Sequence, residues 1–334
     1  MSEIGGVFGA AAVVAMAFAM GFAVRRGSVC MVEASRLLVI EGRPASLGAF
    51  VCAAAAALLM IVPLAWGLAR PSILYPDYGM SLTLVAGGAI FGIGAFVNGG
   101  CAFGTLTRLS GGQMAYAATI AASIAGAMSA LELELPLGLA AQAAQRAAGP
   151  PGFSEPGIAG GIAVALSLVL VGTTFTAAHL RNLRMTVTGD TTRLQPVAAM
   201  VVIGCLSGLL FAVAGSWTHL SLLRAEADAL VGSPMAAIDE RTLLGGSALL
   251  AGAVFAAWRS GRFKLVLPNA RQLLGCTAGG AMMGFGAALV PGGNGALITY
   301  GVASGSASAT LALFAMVAML CLLFVPKRLR VPRR

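Results

Sequence analysis

The sequence predicts an all-α polytopic membrane protein: about nine transmembrane helices in an inverted repeat (four, one, four), with four short re-entrant half-helices. Composition, the sidedness of basic residues and an internal repeat carry this expectation. Of the 334 residues, 58% are hydrophobic and 10% are charged. Mean hydropathy is +0.91. Soluble domains carry about 25% charged residues, so a lipid bilayer is the expected surrounding. The 45 glycines suit close helix packing and broken helices.

Nine apolar runs lie at about 7–24, 46–67, 82–98, 112–131, 157–177, 196–214, 242–258, 273–290 and 305–325. Charged or Pro/Gly-rich stretches separate them, such as Glu41-Gly42-Arg43-Pro44 and Gly149-Pro150-Pro151-Gly152. The first run follows Met1-Ser2-Glu3, with no basic residue, and Arg25-Arg26 comes after it. That order is expected of a retained span and not of a signal peptide.

Charge fixes the expected orientation. With the N-terminus outside and the C-terminus inside, every one of the 21 Lys and Arg residues falls inside except Arg70, Arg146, Arg224 and Arg241. Basic residues mark the cytoplasmic side. Of the 12 acidic residues, only Glu33, Glu41 and Asp190 fall inside. The net charge of +9 is thus mainly a topology signal. No nucleic-acid motif accompanies it, so nucleic acid is not an expected partner.

Residues 86–100 and 278–292, offset by 192, are identical at eight of fifteen positions. Phe22-Ala23-Val24 also matches Phe211-Ala212-Val213, and Gly27-Ser28 matches Gly215-Ser216 after a one-residue gap. The expected organisation is a single membrane transport domain over 1–334. Repeat one covers about 1–131, a linking span about 157–177, and repeat two about 196–325. An odd number of spans between equivalent points inverts the second unit, a plan that places a solute site near the midplane.

Each unit also holds two segments too short to cross, about 28–40 and 101–110, then 217–231 and 294–303. Irregular backbone at membrane depth is tolerated where it is buried or lines a cavity. Half-helix N-termini aimed at the midplane would favour an anion. Cys30 and Cys101 open the first two segments, each after glycine-containing backbone: Arg25-Arg26-Gly27-Ser28-Val29-Cys30 and Asn98-Gly99-Gly100-Cys101. By the repeat offset, Thr218 stands where Cys30 does. Gly293, beside Asn294, stands where Cys101 does. A thiol is a soft, weak hydrogen-bonding group suited to sulfur-bearing ligands.

Arg26-Gly27-Ser28-Val29-Cys30, Gly100-Cys101-Ala102-Phe103-Gly104-Thr105-Leu106-Thr107-Arg108-Leu109 and the repeat ending in Pro291-Gly292-Gly293-Asn294 resemble the YeeE/YedE family of bacterial inner-membrane proteins. This is also called the sulphur-transport family, and the resemblance covers nearly the whole chain. It implies a path for thiosulfate or a related anion, passed between cysteines by weak S–H···S hydrogen bonds without covalent turnover. Thiosulfate-transporting members use three cysteines. Cys30 and Cys101 carry over, whereas Gly293 stands near the third position. The resemblance also implies work beside a cytoplasmic sulfur-relay protein.

The expected path therefore includes Cys30, Gly100, Cys101, Thr105, Thr218, Gly293 and Asn294. Arg25 and Arg26 either mark topology or collect an anion electrostatically. Arg108 suits the C-terminal dipole of its short helix or serves the anion. Asn294 either donates its amide to an anion or belongs to a turn. Glu33 and Arg36 are spaced for an ion pair. Cys52, Cys205, Cys276 and Cys321 lie in apolar runs as packing residues. Six cysteines without C-x-x-C spacing argue against a metal site or dithiol redox centre, and no cofactor is expected. Two other functions stay open: a membrane thiol or quinone oxidoreductase, and a scaffold for sulfur-carrier proteins.

Overall fold

The computed structural model describes residues 2–137, 149–186, 195–214, 240–290 and 292–329. Most of those residues are helical and none forms a strand, with isolated bridges at Asp77–Gly149 and Gln113–Val266. The helices are α1 (Ser2–Gly27), α2 (Met31–Glu41), α3 (Ala45–Gly67), α4 (Leu82–Asn98), α5 (Ala102–Ser110), α6 (Ala115–Leu137), α7 (Ile158–Thr186), α8 (Pro196–Ala214), α9 (Glu240–Arg259) and α10 (Ala270–Leu289). An irregular segment, Asn294–Ser304, follows, combining one α-turn, a π-turn and a 3₁₀-turn, and then α11 (Ala307–Leu329).

Each of the nine apolar runs falls on a helix, and α4 and α8 have the expected bounds. Five stretches are long and apolar enough to cross a membrane: Gly9–Glu41, Ala45–Gly67, Leu82–Ser110, Pro196–Ala214 and Ala307–Leu329. Joining α10 to Asn294–Ser304 makes a sixth, and Ala115–Ala130, Ile158–Thr174 and Leu243–Arg259 are shorter apolar helices. Helix α7 continues to Thr186, past its apolar run, because hydropathy marks the lipid-facing part of a helix and not its hydrogen-bonded end.

Three of the expected short segments are helical: α2, α5 and Asn294–Ser304. The fourth, 217–231, lies outside the described residues, and Thr218 with it. Local chemistry sets several ends. The Ser81 hydroxyl accepts from Leu84 N–H at the start of α4, and Asn269 Oδ1 accepts from Gln272 N–H at 2.8 Å at the start of α10. Gly99 ends α4 in the left-handed conformation at φ 73°, which favours glycine.

The helix contacts come in matched pairs. Helix α1 packs on α9 and α3 on α8, while α6 packs on α10 and α4 on α11. Helices α4 and α10 pack on one another, as do α1 and α8. A Cβ at Gly284 would lie 1.9 Å from Ser123 O, and one at Gly126 would lie 2.0 Å from Ala281 O. The α6 and α10 backbones are therefore in contact through small residues, as is usual between membrane helices.

The α4–α10 contact is reciprocal. A Cβ at Gly87 would meet Gly286 O at 3.1 Å, and one at Gly94 would meet Gly279 O at 2.8 Å. These are the positions that an offset of 192 exchanges. A Cβ at Gly295 would touch the Phe103 ring at 3.3 Å, and residue 295 is the offset counterpart of residue 103.

The loop after α3 is clamped to the start of α11. Asp77 Oδ1 accepts from Ser308 Oγ at 2.6 Å, Ser306 Oγ at 2.9 Å and Ser308 N–H at 3.0 Å. Tyr75 N–H and Tyr78 N–H donate to Ser304 and Ser308 hydroxyls, both at 3.0 Å. Burial opposes the Asp77 charge, but these donors outweigh it and hold its pKa below 3.8. A carboxyl with a depressed folded pKa stabilises the fold above its unfolded pKa, and that stability is lost as pH falls through the folded value. Asp77→Ala is expected to cost about 1 kcal/mol at neutral pH, like a lost helix cap. Thermal unfolding in detergent should show the gap to wild type closing below about pH 4.

Candidate functional site

Two interrupted helices meet at the site. Helix α1 ends at Gly27. Ser28 takes positive φ, 48°, and Cys30 turns extended at φ −148°, ψ 126° before α2 begins. Helix α4 ends at Asn98, Gly99 reverses the chain, and Cys101 is extended before α5 begins. Cysteine thus occupies the residue that opens each short helix. Neither side chain caps its own helix.

The two thiols face one another. Cys101 Sγ lies 3.9 Å from Cys30 Sγ and accepts from Met31 N–H at 3.2 Å. Cys101 is fully buried, Cys30 is half-buried, and both are free. Gly104, one turn beyond Cys101, makes the pairing possible. A Cβ there would lie 2.6 Å from Cys30 Sγ, so the missing side chain is the seat of the Cys30 sulfur. The spacing of Gly100-Cys101-x-x-Gly104 therefore has a steric reason.

Asn98 ties the elements together. Its Nδ2 donates to Gly100 O at 2.7 Å and Thr105 Oγ1 at 2.9 Å. Its Oδ1 accepts from the Thr119 hydroxyl of α6 at 2.7 Å. Arg108 donates to the Tyr116 hydroxyl and lies over that ring, with Cζ 5.3 Å from the centroid. Its guanidinium is close to Gly99 and within electrostatic reach of Cys30 and Cys276. Arg108 thus stands in the last turn of α5, as its dipole favours, with its guanidinium at the Gly99 break that precedes Cys101.

The other predicted charges have structural partners. Arg25 is half-buried and donates to Thr107 O at 3.1 Å and Arg262 O at 3.2 Å, bracing α1 against α5 and the chain after α9. Arg26 Cζ lies 5.5 Å from the Phe22 ring. Arg36 pairs with Glu33 at 2.8 Å, the expected i, i+3 pair, and with Glu41 at 3.0 Å.

Gly293 opens the irregular segment as Cys101 opens α5. Asn294 is 0% exposed, and a Cβ at Gly295 would lie 3.3 Å from the Phe103 ring. The structure therefore gathers Cys30, Gly100, Cys101, Thr105 and Arg108 in one network. It sets Gly293 and Asn294 against α5 through Phe103.

Sequence reasoning gave Asn98 no role and gave Cys276 a packing role. Both line a cleft of about 340 Å³ together with Val97, Asn269, Arg271, Gln272 and Gly275. Cys276 is buried and also packs with Ala115, Tyr116 and Leu109, so packing describes only part of its surroundings. Asn98 stood inside the quoted repeat, but nothing local marked its bonds to α6. Among the described residues, no group of three or more His, Cys, Asp or Glu side chains could hold a metal.

A weakly hydrogen-bonding thiol pair, enclosed by backbone and uncharged polar groups, can pass a soft solute without gripping it. A family model described as sulphur transport matches residues 26–322. No curated protein matches the chain.

Proposed function

The chain belongs to the sulphur-transport family, and from that membership we propose that it carries thiosulfate, or a related small sulfur-containing anion, past the Cys30–Cys101 thiol pair. The observation that carries this reading is the 3.9 Å approach of two thiols, each at the start of a short interrupted helix. The solute's sulfur would exchange weak S–H···S hydrogen bonds with each in turn. Asn98, Thr105 and the adjoining backbone hold the thiols in place. Arg108, stacked on Tyr116 at the Gly99 break before Cys101, offsets the solute's negative charge.

The setting is a bacterial inner membrane, with the N-terminus outside and the C-terminus in the cytoplasm. Nine spans form an inverted repeat of four, one and four. The matched helix contacts, the reciprocal glycine contacts of α4 and α10, and Phe103 against its own counterpart Gly295 support that symmetry. The solute moves from Thr218, Gly293 and Asn294 on the outer side to Cys30 and Cys101 on the inner side. The path is passive, and cytoplasmic sulfur chemistry, through a sulfur-relay protein, drains it.

The test is uptake of labelled thiosulfate into liposomes holding the purified protein, with labelled sulfate in parallel. Faster thiosulfate entry than into protein-free liposomes, with little sulfate entry, is expected. Equal entry with and without protein rejects the reading.

The same 3.9 Å approach favours one other function, a thiol oxidoreductase. That reading requires a reversible Cys30–Cys101 disulfide, seen as labelling of Cys30 only after reductant.

A further inference from the structure

We infer that Asn294 is a specificity-determining residue that recognises the oxygen atoms of the transported sulfur anion. This rests on the transport reading above and adds what the solute must be. Asn294 is fully buried, yet neither Oδ1 nor Nδ2 has a hydrogen-bond partner in the protein. Buried amides are nearly always paired, so an orphaned one needs a reason. Turn formation is not that reason. The turn is closed by backbone, with Leu297 N–H donating to Gly293 O at 3.0 Å. Gly292, at φ 112°, takes the left-handed position. The Asn294 side chain contributes to neither.

Its position completes the thiol path. Gly293 corresponds to Cys101 by the repeat offset, and a Cβ at the next glycine, Gly295, would lie 3.3 Å from the Phe103 ring of α5. The turn that carries Asn294 therefore packs against α5, where the two interrupted segments meet, with Cys101 opening one and Gly293 the other. Nδ2 offers two donors, which match oxyanion lone pairs. Oδ1 accepts from a hydration water or from the O–H of a protonated anion. Thiols suit the sulfur end of a solute and the amide suits its oxygen end. The matching class is a small sulfur oxyanion, in contrast to hydrosulfide, which has no oxygen. A neutral amide also binds an anion without trapping it.

The test compares wild type, Asn294→Leu, Asn294→Ala and Cys101→Ala in liposomes supplied with labelled thiosulfate. Melting temperatures in detergent are measured with and without thiosulfate. Asn294→Leu should lower uptake at least about tenfold, because a site built to hydrogen-bond discriminates strongly when that bond is lost. Its melting temperature without solute should not fall, because an unpaired amide has been replaced by an apolar group of similar size. The rise in melting temperature with thiosulfate should vanish.

Uptake within about twofold of wild type in both Asn294 variants overturns the inference. So does a lower melting temperature without solute in both, which would mark a structural residue. The two readings separate cleanly. Loss in Cys101→Ala alone rejects the amide role and keeps the thiol path. Loss in the Asn294 variants alone rejects the thiol path and keeps the amide.

Discussion

Cys101→Ala is expected to lower thiosulfate uptake at least about tenfold while the protein stays folded. The wild-type thiol is fully buried, accepts from Met31 N–H at 3.2 Å and faces Cys30 at 3.9 Å. Alanine removes both contacts and the soft atom that would receive the solute's sulfur. A weak S–H···S bond is worth less than the about 1 kcal/mol of an ordinary hydrogen bond, but desolvating an anion without a replacement contact costs more. Together these exceed the 1.4 kcal/mol of a tenfold change. The small cavity should destabilise by only about 1–2 kcal/mol, so the folded protein remains available for assay. Cys101→Ser should recover little, because a hydroxyl is a harder and smaller partner than a thiol. Initial uptake rates, scaled to the folded fraction, decide this; unchanged rates would remove Cys101 from the path.

Gly284→Leu is expected to prevent folding. A Cβ there would lie 1.9 Å from Ser123 O, a backbone atom that cannot move aside. Relieving the clash means separating α6 from α10, which removes the Ser123 Oγ bond to Gly280 O at 3.1 Å and the packing of both helices. The loss should exceed about 3 kcal/mol, at the upper end for overpacking. Size-exclusion chromatography in detergent should show aggregate or no protein. Gly161→Leu is the control. Nothing lies within 4 Å of a Cβ at Gly161, and it should behave as wild type, within about 0.5 kcal/mol. A monodisperse Gly284→Leu protein would show that the α6–α10 contact is not as close as described.

Much of this was legible in the sequence, for identifiable reasons. The helices were legible because lipid demands long apolar runs, and α4 and α8 match theirs residue for residue. Cys30 and Cys101 were legible as helix openings because left-handed or extended backbone must follow the glycine breaks. The reciprocal glycines were foreshadowed by the 192-residue offset, though not which pairs would touch. The partners of Asn98 were not legible, since Thr119 and Met283 are distant in sequence. Cys276 packs with Ala115 and Tyr116 as expected, but no local pattern betrayed the cleft beside it. Arg25 looked like a topology marker because a bond to the Thr107 carbonyl leaves no trace in residue identity. Asn294 could be read as turn or donor until its burial, and its unpaired amide, separated the two.

The central claim is that the solute reaches the thiol pair. The direct measurement is the rate at which a small alkylating reagent modifies Cys30 in liposome-embedded wild type, followed by mass spectrometry of the Cys30 peptide. Thiosulfate should slow that modification in a saturable way, sulfate should not, and labelling of the partly exposed control Cys205 of α8, which packs with Cys52, Ala56 and Val201, should be unaffected by either. Identical Cys30 labelling rates with and without saturating thiosulfate would contradict the account.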